Sequence, residues 1–163
     1  MDFTFTEEQE MLRKMARDFL TTECPRDTVR KLIKTETGYT PEMWNKMTEL
    51  GWPGLMIPEQ FGGVGGSFMD VVALVEEMGR GAMVGPLFSS LVGTLAVLEM
   101  ADDQQKADLL PKIASGKLIL TTAFSEPGVG FELDAIQCQA VAEGDDWVLN
   151  GTKLFVENAH VAD

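Results

Sequence analysis

The chain contains 163 residues, of which 45% are hydrophobic and 24% are charged, a composition typical of globular proteins. Its formal net charge of −13 excludes a protein that binds nucleic acid by neutralising phosphates over a wide face. The longest apolar stretches are interrupted well before the length of a bilayer span, so we expect no transmembrane helix. Cys24 and Cys138 lack the spacing of a zinc site, and Met1 leads almost directly into a helix cap, so we expect a cytoplasmic protein.

Helices are predicted over the first two thirds of the sequence, because capping residues precede apolar or amphipathic stretches at regular intervals. The first helix carries an apolar stripe that includes Met11 and Met15. The stretch 71–75 is apolar all round, so its helix is expected to be buried on several sides. The predicted helices begin at Thr6 and at Ser67 with capping boxes, at about Arg26, at Thr40 with Pro41 in the first turn, at about Leu87 and at Asp102.

The hydrophobic period changes near Gly116, which predicts an α+β protein with a helical domain over 1–116 and a β domain over 117–163. Residues 136–141 alternate weakly, as in a strand, and 143–146 have the composition of a turn. Asn150-Gly151 between two apolar triplets is a strong signal for a tight hairpin. Three or four strands leave unpaired edges, so we expect the natural protein to continue beyond 163.

An apolar run at Leu118–Phe124 is followed by Ser125-Glu126-Pro127-Gly128 and, two residues on, by Gly130. Such a run predicts a strand, and the glycines after it permit positive φ and a close approach of backbone to a ligand. The segment is therefore a candidate for presenting backbone groups to a flat ligand. An ordinary exit from a strand into a loop explains the same residues equally well.

Three other features are interpreted without a functional role. The glycine-rich loop 62–66 is interpreted as a structural connection, because Phe68 stands where a dinucleotide-binding motif needs its third glycine. His160 is the single histidine and has no partners at the spacing of a metal site or a catalytic triad. Glu76-Glu77 is expected to be the solvated end of a buried helix.

Three segments carry a resemblance to a known family: Trp52-Pro53-Gly54 through Gly65, Ser125-Glu126-Pro127-Gly128, and Trp147 through Val156 with its Asn-Gly-Thr-Lys sequence. In this order and at these separations they closely resemble the acyl-CoA dehydrogenase family, as does the start, Phe5–Arg13. The resemblance covers the whole chain, although the chain covers less than half of the family's usual length. It implies an α-helical bundle followed by the opening strands of an antiparallel β barrel.

The resemblance also implies a reaction and a cofactor. The family removes a proton from the α carbon and a hydride from the β carbon of an acyl-CoA thioester, and FAD accepts the hydride. The helix that begins near Leu87 would border the acyl pocket. By resemblance, the flavin would be contacted by the Thr122 carbonyl, the Phe124 amide, the Ser125 hydroxyl, Gly130, Phe131, Phe155, Val156 and, at its N5 atom, Glu157.

Three of these positions depart from the family pattern. Phe131-Glu132 replaces the usual Ser-Asp after Gly130, which removes a hydroxyl used near the cofactor and thioester. Phe155 stands where Trp is common and keeps an aromatic face. Glu157 stands where the family usually has Thr or Ser, and its carboxylate would place negative charge where electron density must arrive.

No catalytic residue is predicted within the chain, because the family's base is a Glu of the C-terminal half, beyond Asp163. We therefore expect the N-terminal portion of a FAD-dependent acyl-CoA dehydrogenase of fatty acid metabolism, inactive as this span alone. The resemblance implies dimers or tetramers and an electron-transfer partner for the reduced flavin, and leaves a dehydrogenase and an oxidase as alternatives. Glu157 and Phe131 motivate another alternative, a non-catalytic subunit paired with a related flavin-binding chain.

Overall fold

The structure is a computed structural model that describes residues 4–128, 130 and 133–163. Phe131, one of the predicted cofactor-binding residues, lies outside the described residues. Six α-helices, two short 3-10 helices and one two-stranded sheet make up the regular structure of the described part. The elements are α1 (Glu7–Glu23), α2 (Arg26–Leu32), α3 (Pro41–Glu49), α4 (Phe68–Arg80), α5 (Leu87–Met100), α6 (Asp103–Ala114), β1 (Gln139–Glu143) and β2 (Asp146–Asn150).

The helix starts follow the capping residues of the sequence. The Thr6 hydroxyl oxygen accepts a hydrogen bond from the Gln9 amide, and the Gln9 side chain accepts one from the Thr6 amide. The amide of Ser67 donates to the Asp70 carboxylate over 2.6 Å. These bonds satisfy amide groups that the first turn of a helix leaves without a partner. The predicted helical organisation is confirmed, and no helix among the described residues is long and apolar enough to span a membrane.

The core lies where α1 packs on α4, and buried residues of α3 and α5 belong to the same cluster. Trp52 in this cluster is fully buried and meets the Phe19 ring in an edge-to-face arrangement, at a centroid distance of 4.8 Å. Burial differs between the two apolar helix faces predicted from the sequence. Met11 of the α1 stripe is 72% exposed, because it lies on the side of the helix away from its neighbour. The stretch 71–75 is buried on several sides, as predicted, since Val71, Ala73 and Leu74 are buried and Val72 is 37% exposed.

Glu77 is buried, contrary to the prediction that the pair at 76–77 is solvated: only 1% of the residue is exposed. The Arg17 guanidinium holds both of its carboxylate oxygens, at 2.9 and 2.6 Å. Arg80 and Arg13 lie within 3.3 and 3.5 Å. These hydrogen bonds and charges hold the pKa of the Glu77 carboxyl below its usual value, which offsets the effect of burial.

The glycine-rich loop connects two helices, as interpreted from the sequence. A Cβ at Gly63 would lie 2.0 Å from the carbonyl oxygen of Ile57, so a side chain has no room there. Gly62 has φ of +80°, a conformation that glycine adopts at little cost. The loop is held by backbone hydrogen bonds to the segment before it, among them the bond from the Gly65 amide to the Ile57 carbonyl over 2.8 Å.

The two strands form an antiparallel hairpin with Gln139 opposite Asn150 and Glu143 opposite Asp146. The prediction of a turn at Asn150-Gly151 was wrong. A tight turn of that type needs positive φ at both central residues, and neither Asn150 nor Gly151 has it, whereas Gly144 has φ of +66°. The chain instead reverses at Gly144-Asp145, which confirms the turn predicted at 143–146. Both faces of the hairpin are exposed.

The prediction of a strand at Leu118–Phe124 was also wrong. The segment has no strand partner within the described part of the chain. Ile119 exchanges hydrogen bonds with Asp163 instead, through its amide and its carbonyl, at 2.8 and 3.0 Å. Strand structure requires a neighbouring ladder, which an apolar run does not itself provide.

Candidate functional site

Two separate segments of the β region converge on one side of α5. Thr121–Phe124 arrives from the end of α6, and Phe155–Glu157 follows β2. Together with α5 they enclose a cavity of about 350 Å³. The cavity is lined by Phe88, Ser89, Val92, Thr121, Thr122, Phe124, Phe155 and Glu157.

The first of these segments is seated directly on α5. Gly93 has no room for a side chain, because a Cβ there would lie 2.6 Å from the Leu120 Cβ. The Leu120 amide donates a hydrogen bond to the hydroxyl of Ser90, which is fully buried, at 3.4 Å. A glycine and a serine of one helix therefore set how closely the segment approaches.

The second segment is anchored by side-chain hydrogen bonds. The Asn158 amide group donates to the Ser89 hydroxyl oxygen over 3.1 Å. The Thr121 hydroxyl donates to the backbone carbonyl of Glu157 over 2.5 Å. The two segments and the helix are thus joined to one another around the cavity.

The buried carboxylate of Glu126 connects the loop after Phe124 to the residues on either side of the hairpin. We call this set of contacts, made by Glu126 with Gln137, Cys138 and Lys153, the Glu126 tie. Glu126 is 8% exposed and accepts hydrogen bonds from the amides of Gln137 and Cys138, at 2.7 and 3.0 Å. The Lys153 ammonium group donates to the same carboxylate over 2.7 Å and to the Phe124 carbonyl over 3.2 Å. The lysine, followed by the two backbone amides, holds the pKa of Glu126 below its usual value.

The role of this tie was missed by sequence reasoning, which noted Glu126 as part of a motif without assigning it a contact. The sequence signal available was a carboxylate between an apolar run and a proline, with a lysine 27 residues away. Neither residue predicts the other from the sequence, because Glu126 and Lys153 come into contact only in the tertiary structure. The tie was therefore not predictable from local pattern.

Of the predicted cofactor-binding residues, Thr122, Phe124, Phe155 and Glu157 are brought together at the cavity. Ser125 lies beside it, where its carbonyl accepts from the Leu154 amide over 2.8 Å. Two further predicted residues, Val156 and Gly130, are described and do not line the cavity.

Phe155 is unusual in its exposure and in its backbone conformation. Its side chain is 91% exposed and its backbone has φ of +53°. A residue with a side chain in this left-handed region costs about 1 kcal/mol or more and persists where the surroundings impose it. Phe124 on the opposite segment is 42% exposed. The cavity therefore presents two aromatic side chains that the described residues leave largely uncovered.

Two neighbouring cavities adjoin this one through Phe88. An apolar groove of about 540 Å³ lies between α4 and α5. A cavity of about 510 Å³ is lined by Glu36, Glu157 and His160, among others. No cluster of metal-ligating residues occurs among the described residues, and His160 lies at this surface.

Replacing Glu126 with Gln is expected to loosen the tie, because a neutral amide cannot pair with the Lys153 charge. Amide hydrogen exchange at Gln137 and Cys138 in the full-length protein should accelerate about tenfold, along with alkylation of the Cys138 thiol. Cys24 serves as the internal control, since it is 5% exposed and burial raises the pKa of its thiol. Unchanged exchange at both amides would contradict the tie.

The same tie has a defined pH dependence. Because the folded-state pKa of Glu126 is lowered, its stabilisation is complete above the usual range of a glutamate. The stabilisation is lost as pH falls through that lowered pKa. Protection of the Gln137 amide should therefore decrease in acid in the native protein, and this part of the decrease should be absent from Glu126→Gln.

A helical bundle, followed by a segment that lines a cavity together with the residues after a β hairpin, defines the class of the chain as α+β. Residues 6–117 match the family model "Acyl-CoA dehydrogenase, N-terminal domain". The chain belongs to the acyl-CoA dehydrogenase family. The likeness to the family stated from the sequence is confirmed.

Curated relatives extend the match over the whole chain. The chain is 35% identical over 160 residues to the acryloyl-CoA reductase (NADH) of Anaerotignum propionicum, covering 96% of this chain and 40% of the relative. It is 34% identical over 167 residues to the short-chain specific acyl-CoA dehydrogenase of Clostridium acetobutylicum, covering 100% and 43%. The chain thus spans about two fifths of the length of these relatives.

Solved structures share the fold at similar coverage. The ChsE4-ChsE5 complex from Mycobacterium tuberculosis matches with a TM-score of 0.87 at 27% identity, covering 100% of this chain and 44% of that one. An acyl-CoA dehydrogenase from Bacillus anthracis, complexed with FAD, matches with a TM-score of 0.83 at 28% identity, covering 98% and 28%. The predicted α+β class, with helices followed by antiparallel strands, is confirmed.

Proposed function

We propose that this chain is the N-terminal portion of a flavin-dependent oxidoreductase that acts on the α,β carbon–carbon bond of an acyl-CoA thioester. The observation that carries the proposal is the convergence of Thr122, Phe124, Phe155 and Glu157 from two distant segments onto one cavity. The family supports the reaction type. Named relatives include both a dehydrogenase and a reductase, so the chemistry proposed for the chain is transfer of hydrogen in either direction.

The residues present fit a flat heteroaromatic ring. Among the described residues, no backbone–backbone hydrogen bond involves residues 121–124. The Thr122 carbonyl and the Phe124 amide are therefore open to a ligand. Alternating acceptor and donor groups on an extended backbone suit the polar edge of a flavin. The exposed rings of Phe124 and Phe155 suit its faces. When bound, FAD would supply the hydride acceptor.

The proposed roles of this chain are binding and orientation. The Thr122 carbonyl would accept a hydrogen bond from the ring edge, while the Phe124 amide and the Ser125 hydroxyl would donate to it. Phe155 and Val156 would back the ring, and Gly130 would allow close approach of the chain. The base that takes the α proton would come from a part of the full-length protein outside this chain.

The test is the visible absorption spectrum of the full-length protein, recorded before and after anaerobic addition of acyl-CoAs of different chain length. A flavin band that bleaches with a thioester would support dehydrogenation and narrow the acyl group. If the flavin is instead reduced first and enoyl-CoAs restore the band, the reductive direction is supported. A protein that cannot be reconstituted with FAD would overturn the proposal.

A second candidate function is a non-catalytic subunit that pairs with a flavin-binding chain. It is favoured by one observation, the carboxylate of Glu157 among the lining residues of the cavity. The ChsE4-ChsE5 complex, a solved structure that is similar to this chain, supports an assembly of two different chains. Co-purification of a related, flavin-carrying chain would support this candidate, whereas stoichiometric flavin in a homo-oligomer would exclude it.

We also propose partners for the first candidate. Electrons must enter or leave a bound flavin, which calls for an electron-transfer protein or a reduced nicotinamide. The full-length protein is proposed to form a dimer or tetramer in the cytoplasm. Size-exclusion chromatography with light scattering would distinguish a homo-oligomer from a mixed assembly.

A further inference from the structure

Glu157 is the single ionisable residue among the described residues that line the 350 Å³ cavity. Its backbone is fixed there by the hydrogen bond from Thr121. The other lining side chains are aromatic, aliphatic or hydroxyl-bearing. The cavity therefore carries one formal negative charge on an otherwise uncharged wall.

No cation within the described part of the chain forms an ion pair with Glu157. Lys153, two residues before Phe155, is engaged by Glu126 at 2.7 Å and so does not offset a second carboxylate. On the other side, Glu36 and His160 line the adjoining cavity with Glu157. Glu36 adds a further negative charge, so the electrostatic environment on this side of the site is acidic.

A fixed negative charge beside a redox group opposes the arrival of electrons. Reduction of a flavin adds electron density to the ring, so a neighbouring carboxylate destabilises the reduced form relative to the oxidised form. Glu157 is an exposed residue among those described, so water screens part of this effect. A neutral hydroxyl at the same place would lack this effect.

We propose that Glu157 lowers the reduction potential of the flavin held in this cavity, and so favours reduction of enoyl thioesters over dehydrogenation of acyl thioesters. This inference rests on the proposed function and specifies its direction. In the favoured direction, the reduced flavin loses a hydride to the β carbon of the carbon–carbon double bond, and a proton adds to the α carbon. An electron-donating protein or a reduced nicotinamide restores the flavin to its reduced form.

The test compares the native full-length protein with Glu157→Gln, which keeps the size and removes the charge, and with Glu157→Asp, which keeps the charge. The two-electron reduction potential of the bound flavin is measured against a reference dye, together with the affinity for oxidised FAD. Glu36→Gln is the matched control, because Glu36 lines the adjoining cavity only.

In Glu157→Gln the affinity for reduced over oxidised flavin should rise about tenfold, which is about 30 mV for a two-electron couple. Glu157→Asp should retain most of the native potential, and Glu36→Gln should change it far less. Equal potentials in the native protein and Glu157→Gln would overturn the inference while leaving the proposed function intact. Flavin binding by Glu157→Gln but not by the native protein would also overturn it, whereas absence of flavin from every form would overturn the proposed function itself.

Discussion

Replacing Gly93 with alanine is expected to disrupt the candidate site from its helical side. The new Cβ would lie 2.6 Å from the Leu120 Cβ, which no real pair of carbons tolerates, so the segment after Leu120 must move away from α5. Thr121 and Thr122 lie next in that segment and line the cavity. Overpacking of this kind costs about 1–3 kcal/mol of stability.

The same displacement should also weaken the binding of a ligand in the cavity. A displacement of about 1 Å in a positioning segment can reduce function by up to about a hundredfold, so flavin affinity should fall by about tenfold or more. The measurement is titration of the full-length apoprotein with FAD, alongside urea unfolding. This test depends on the proposed function only because FAD is the ligand used in the titration.

Two controls separate this result from a general effect of alanine. Gly79→Ala in α4 meets no atom within 4 Å, and alanine in a helix interior should raise stability by about 0.5–1 kcal/mol. The double variant Gly93→Ala/Leu120→Gly removes the Leu120 Cβ that the new methyl group would meet and should recover part of the lost affinity. Unchanged FAD affinity in Gly93→Ala would show that α5 does not set the position of the segment.

Replacing Glu77 with glutamine is expected to destabilise the packing of α1 on α4. Arg17 now binds both carboxylate oxygens, while Arg13 lies 3.5 Å away with only 16% of its side chain exposed. A neutral amide leaves these guanidinium charges without their shared partner. Breaking a buried pair in this way costs about 3–5 kcal/mol, and the partial exposure of Arg17 puts the expected value near the lower figure.

Urea unfolding of the full-length protein measures this loss, and Glu76→Gln is the matched control. Glu76 is adjacent, has 47% of its side chain exposed and makes a single 3.2 Å contact with Arg13, so its loss should cost less than about 1 kcal/mol. Similar losses in both variants would show that burial of Glu77 contributes nothing.

The Glu77 cluster also predicts a pH effect with a defined sign. Hydrogen bonds from Arg17 lower the folded-state pKa of Glu77, so its stabilisation is complete above the usual glutamate range. It is lost as pH falls through the lowered pKa. The native protein should lose stability in acid more steeply than Glu77→Gln, because the variant has no carboxyl to protonate at this site.

The helical half of the fold follows closely from local sequence. Thr6 with Gln9 and Thr40 with Pro41 mark helix starts through bonds within one turn, so the residues responsible are neighbours in the chain. Four of the eight cavity residues, at positions 122, 124, 155 and 157, were predicted through the family resemblance, since they do not define a site by pattern alone. Their assignment to a flavin stays a prediction. The other four, Phe88, Ser89, Val92 and Thr121, were not predicted.

The sequence by itself determined the helices, their caps and the family, because these depend on contacts within a few residues or on motifs read in order. Only the tertiary structure decided that the segment at 118–124 has no strand partner and that Glu77 is buried. Each of these depends on groups far away in the chain: Asp163, which is 44 residues from Ile119, or an arginine that is 60 residues from Glu77. Distant pairing is selected by the packing of the whole fold, so no local pattern contains it.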